Sequence, residues 1–120
     1  MINNYAAGQS DTRPWGDWTV LDVGPGYAVK RLRVRPDGVL SLQRHRHRAE
    51  QWVIVAGTAR VRRGDATFDL TAGQSTQIGL GDVHNIANPG TDDMVFIEVQ
   101  TGEVLSEDDI ERLQDRYGRS

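Results

Sequence analysis

Short β-prone runs, each closed by a turn signal, recur along most of this chain, and that punctuation limits the fold more than any other feature. Residues 18–21 are followed by Gly24-Pro25-Gly26, residues 27–35 by Pro36-Asp37-Gly38, and residues 51–56 by Gly57. Residues 60–63 and 66–70 flank Gly64-Asp65, a two-residue hairpin signal. Residues 40–48, 75–78, 84–88 and 94–100 complete the set. Many short strands at this spacing, joined by glycine-rich turns, specify an all-β sandwich or barrel. No internal repeat or low-complexity linker interrupts them.

The two ends differ from this pattern. Residues 1–12 are polar and read as an N-terminal arm, mobile or docked elsewhere, ahead of a single domain over 13–120. Near the other end the period changes. Ser106 stands as an N-cap before Glu107, Asp108 and Asp109, acids suited to a first helical turn. Ile110, Leu113 and Tyr117 then fall at i, i+3 and i+7, and Gly118 follows as a stop. A short C-terminal helix packed on the barrel is expected.

Composition narrows the function classes. The 120 residues suffice for one core without covalent staples, and the absence of cysteine rules out disulfides and thiolate metal sites. A formal charge of -3 argues against a general nucleic-acid binder. The start, MINNYAAGQS, lacks a signal-peptide pattern, and no apolar run approaches the ~20 residues of a membrane helix. A cytoplasmic protein is expected.

The three histidines fall in two segments with shared features. One is Gly38-x4-Gln43-x-His45-x4-Glu50-x6-Gly57; the other is Gly73-x5-Gly79-x-Gly81-x2-His84-x3-Asn88. On a continuous strand the side-chain period of two puts Gln43, His45 and His47 on one face, with Arg44, Arg46 and Arg48 on the other. Glu50 opens the next strand after a bend and can point back at the same spot, while His84 arrives from a separate strand. Two imidazoles, a carboxylate and an amide oxygen make a mixed site for one divalent ion, zinc, iron, manganese, cobalt or nickel. Gln43, His45, Glu50 and His84 are the expected ligands, with zinc first among the metals.

These segments resemble the two cupin motifs, with Gln43 in place of the usual first histidine and Gly79 in place of the usual proline. More narrowly, the chain is similar to the C-terminal cupin domain of type II mannose-6-phosphate isomerases, which are often fused to a mannose-1-phosphate guanylyltransferase. Arg13-Pro14-Trp15-Gly16, Leu40-Ser41-Leu42-Gln43, His47-Arg48-Ala49-Glu50, Asn88-Pro89-Gly90, Glu107-Asp108-Asp109-Ile110 and Arg116-Tyr117-Gly118-Arg119 carry the match. The chain departs at Gln51, where the family commonly has histidine, and at Asn85, where arginine is usual. Nothing resembles the guanylyltransferase's glycine-rich nucleotide loop, so GDP-mannose synthesis is not expected.

The resemblance implies a double-stranded β-helix, the cupin jelly-roll barrel. It also implies a metal-dependent isomerase interconverting mannose 6-phosphate and fructose 6-phosphate. A base must carry one proton between C1 and C2. His47, Glu98 and Gln100 are polar candidates near the site, and only the first two titrate usefully. The phosphate needs cations, for which Arg48, the single lysine Lys30, and Arg13 are candidates. Arg31, Arg33 and Arg35 alternate along one run and read as a solvated face. A homodimer is expected, the N-terminal arm crossing onto a partner. Two alternatives stay open: a metal cupin of another activity, and a non-enzymatic sugar-binding or regulatory cupin.

Overall fold

Alternation of buried and exposed positions organises the molecule. A computed structural model describes residues 1–118; Arg119, the last residue of the 116–119 match, lies outside them. The strands, in chain order, are β1 (Ile2–Asn3), β2 (Ser10–Arg13), β3 (Gly16–Gly24), β4 (Tyr27–Val34), β5 (Leu42–Arg44), β6 (Arg48–Ala56), β7 (Thr58–Arg63), β8 (Ala66–Thr71), β9 (Ser75–Ile78), β10 (His84–Ala87), β11 (Met94–Gly102), β12 (Val104–Leu105) and β13 (Glu111–Gln114). One sheet has six strands in the order β2-β3-β4-β11-β6-β9; the other has five in the order β13-β5-β10-β7-β8. A small parallel pair joins β1 to β12. Among the described residues no helix is long and apolar enough to cross a membrane.

The core lies between the two sheets. Trp18, Leu32, Trp52 and Phe96 come from the larger sheet, and Val61 and Ile86 from the smaller, in one buried cluster. Phe96 is fully buried; truncating such a ring to alanine costs ~3–5 kcal/mol. The expected hairpin is present, with Arg63 opposite Ala66 and Gly64 at φ 60°. Arg31 and Arg33 face outward as read from their alternation.

The expected C-terminal helix is absent. The segment after Ser106 forms a turn, with the Asp109 N–H donating to the Ser106 carbonyl at 3.2 Å. It then runs as β13, antiparallel to β5. Local helix signals lose here because so short a helix is marginal on its own, whereas β5 offers an open sheet edge. Pairing also lets Arg44 grip Glu111 through two hydrogen bonds of 2.9 and 3.1 Å. Leu113, placed on the apolar stripe by the helical reading, is exposed.

Residues 1–12 carry β1 and most of β2, and Tyr5 between them is buried in the core. The Asn3 side chain ties this segment down by donating to the carbonyls of Gly24 and Tyr27, each at 3.0 Å.

Candidate metal centre

The site is built where the two sheets approach each other at the entry to β6. Gln43 on β5 lies directly opposite His84 on β10. After β5 the chain bends through Arg46 and His47, and Arg48 begins β6 in the other sheet. Gly102 makes the bend possible: a Cβ there would lie 2.2 Å from the His47 carbonyl oxygen. Glu50 follows on β6 with its side chain inside.

His45, Glu50 and His84 are all buried, and one potential ligand atom from each lies within 4.8 Å of the others. The His45 Nδ1–H donates to the Asp109 carbonyl at 2.7 Å, and the His84 Nδ1–H to the Asp82 carbonyl at 2.7 Å. Each bond sets the tautomer that leaves Nε2 as the acceptor nitrogen; at His45 that nitrogen faces Arg48 Nη2 at 3.5 Å. Burial, reinforced by the neighbouring Arg48 charge, lowers the His45 pKa to about 3, so its ring is neutral. Glu50 stays ionised. Burial pushes its pKa up, but the Arg48 guanidinium, whose Nε donates to Glu50 Oε2 at 2.9 Å, brings the balance below the ordinary value. Gln43 donates its amide N–H to the Ser41 carbonyl and hydroxyl at 3.2 and 3.1 Å, which leaves its amide oxygen as an acceptor. Neutral imidazoles, an ionised carboxylate and an amide oxygen form a donor set that fits one divalent ion.

These side chains line a cavity with about 60 Å³ of room for water-sized molecules. Lys30, Arg48, Glu98, Arg13 and Asn85 share its wall. Glu98 sits on the inward face of β11. Its Oε1 and the Glu50 Oε1 share the Trp52 indole N–H, at 3.2 and 2.9 Å. Burial, helped by the Glu50 charge and opposed by Lys30, raises the Glu98 pKa to about 7. Gln100 is fully buried and donates to Glu98 Oε2 at 2.8 Å rather than lining the cavity.

Two expectations require correction. His47 is exposed and borders a separate, open depression, so it does not share the inward face of Gln43 and His45. The bend shifts the side-chain phase: Arg48, placed outward by strict alternation, points inward, and His47 points out. Gln51 is exposed on the outer face of β6, opposite Val99 and Gln77, so its replacement of a histidine lies outside the cavity.

The sequence reading missed four participants. Trp52 was detectable, since it lies two residues from Glu50 on the same strand face. Tyr5, Glu107 and Asp109 had no such signal, because they arrive from distant segments. Tyr5 contacts two of the cavity's cations, with Lys30 Nζ at 3.4 Å and Arg48 Nη1 at 3.3 Å from its hydroxyl.

The model of the family described as mannose-6-phosphate isomerase C-terminal matches residues 3–115. The alginate biosynthesis protein AlgA of Pseudomonas aeruginosa is 50% identical over 122 residues, covering 96% of this chain and 25% of that protein. The mannose-1-phosphate guanylyltransferase ManC of Salmonella typhimurium is 49% identical over 107 residues, covering 89% of this chain and 22% of that protein. The chain thus spans about a quarter of the length of the curated relatives it matches. Among solved structures, the cupin domain of Schizosaccharomyces pombe Cnp3 superposes with a TM-score of 0.67 at 15% identity, covering 72% of this chain and 64% of that one. The fold is a cupin double-stranded β-helix.

Proposed function

This chain belongs to the family of mannose-6-phosphate isomerase C-terminal domains, and on that footing we propose that it is a metal-dependent isomerase interconverting mannose 6-phosphate and fructose 6-phosphate. The observation that carries the reading is one cavity that holds a metal-competent triad, a carboxyl group poised near neutrality and buried cations.

Gln43, His45, Glu50 and His84 would hold the ion. A divalent cation there, zinc first, would supply Lewis-acid polarisation of the sugar's carbonyl and hydroxyl oxygens. Glu98 is the base that takes the proton from C2 of the aldose and returns it to C1, while the O2 hydroxyl proton moves to O1. Its raised pKa suits a group that must both accept and release a proton near neutral pH. Gln100 orients that carboxyl from behind. Arg48 keeps Glu50 ionised and adds positive charge to the cavity, and Lys30 with Arg13 receives the phosphate. His47, exposed and outside the cavity, has no part in this scheme. We place the reaction in the cytoplasm and the protein in a homodimer.

The test is a coupled assay for fructose 6-phosphate with the protein loaded with zinc or cobalt. Turnover of mannose 6-phosphate, abolished by Glu50→Ala, is the expected result. Absence of turnover with every divalent ion tried would leave the cupin metal site standing and remove the isomerase.

A further inference from the structure

Resting on that reading, we infer that the Glu107 carboxylate is a built-in occupant of the site that receives the substrate's phosphate, and that Glu107 turns out when a phosphorylated ligand binds. Glu107 Oε2 accepts from Lys30 Nζ at 2.8 Å and from the Tyr5 hydroxyl, and Oε1 lies 3.6 Å from Arg13 Nη2. Two cations and a hydroxyl therefore converge on one carboxylate. A phosphate dianion meets the same donors with more charge and one more oxygen.

Three further observations favour displacement over a purely structural ion pair. Lys30 is only 3% exposed, with its ammonium 4.6 Å from the Tyr5 ring centroid and 4.3 Å from that of Trp18. So dry a cation needs an anion whether or not ligand is present, which gives the free protein reason to carry a stand-in. The Trp18 indole N–H, on the same cavity wall, is buried without an acceptor among the described residues; a phosphate oxygen would supply one. Finally, about 60 Å³ cannot admit a hexose phosphate, given that ligand sites span roughly 300–1,000 Å³. Something must move, and Glu107 is placed to do so. Its side chain is 35% exposed. Two residues on, Asp109 is anchored: its carbonyl accepts from His45, and its carboxylate accepts from the N–H groups of Arg46 and His47 at 2.9 Å each. The turn can hold the imidazole in place while Glu107 alone rotates outward.

Tryptophan fluorescence of the full chain, titrated with inorganic phosphate and with mannose 6-phosphate, tests this without turnover. Glu107→Gln keeps the shape and removes the competing charge. It should tighten inorganic phosphate by about tenfold, one charge-assisted hydrogen bond's worth. Lys30→Met should abolish binding in both backgrounds. Unchanged or weaker phosphate affinity in a folded Glu107→Gln protein would overturn the inference, as would no phosphate binding by either protein. If the variant folds only when phosphate is supplied, and Lys30→Met removes that rescue, the inference stands; failure to fold at any phosphate concentration counts against it. Phosphate competition without turnover would refute the isomerase alone.

Discussion

Replacing Arg48 by methionine separates the electrostatic logic of this site from its packing. Methionine occupies much of the arginine stem's volume and removes the guanidinium. That group donates to Glu50 Oε2 at 2.9 Å, to the Ser106 carbonyl at 2.9 Å and to the Tyr5 hydroxyl at 3.3 Å. Removing one partner of a buried ion pair costs ~3–5 kcal/mol, because the other charge stays buried and uncompensated. For a chain of this size each 1 kcal/mol shifts Tm by roughly 3–6 °C. The metal-free variant should therefore melt ~10–30 °C below wild type at pH 7. The sign of the pH dependence follows from Glu50. In wild type its folded-state pKa lies below the unfolded value, so its contribution is present above the unfolded pKa and is lost as pH falls. In the variant the largest charge opposing burial is gone, and burial pushes the pKa up. The gap between the two proteins should thus be widest near neutral pH and shrink below about pH 4. A divalent ion replaces the lost positive charge beside Glu50, so it should raise the variant's Tm more than that of wild type. Circular-dichroism melts between pH 4 and 8, with chelator and with zinc, provide the measurement. A loss under ~3 °C in chelator, or one that zinc fails to narrow, would refute this account of Glu50.

Three other outcomes are expected. Elemental analysis should find about one divalent ion per chain in wild type and a marked loss in His84→Ala, since only three or four ligands hold it; equal contents would exclude the assignment. If Glu98 is the base, kcat should rise with pH through a midpoint near 7 before levelling off, as the carboxylate form fills. Glu98→Gln should then lower kcat by ~100-fold or more with metal content unchanged, and a variant as active as wild type would return the role to another group. Val53 and Val55 are exposed on the outer face of the six-stranded sheet, beside half-buried Ile97 and Val99, an apolar strip that suits a second copy of the chain. Light scattering should report a dimer that Val53→Glu with Val55→Glu dissociates; a wild-type monomer at micromolar concentration would refute it.

The sequence by itself determined the all-β class, the Gly64-Asp65 hairpin and the pairing of Gln43, His45 and Glu50 with His84 as candidate ligands. The first two rest on short-range facts, since a turn needs particular backbone freedom and a strand presents every second residue to one side; His84 entered through residue type and motif spacing, not through local geometry. The same local rule misplaced His47 and Arg48, because the bend at Arg46 and His47 shifts the alternation and depends on Gly102 more than 50 residues away. The helix signals after Ser106 were genuine but weak. Tertiary structure overrode them because β5 had an edge to pair and Glu111 had Arg44 to meet. Glu98 was legible as a polar residue on a strand face, yet only the folded core could decide which face is dry and so raise its pKa. Tyr5, Glu107 and Asp109 meet Lys30, Arg48 and His45 across separations of 25 to 77 residues. No periodicity reaches that far. Side chains so distant in the chain become partners only when closure of the barrel removes water and requires each buried charge and donor to find one.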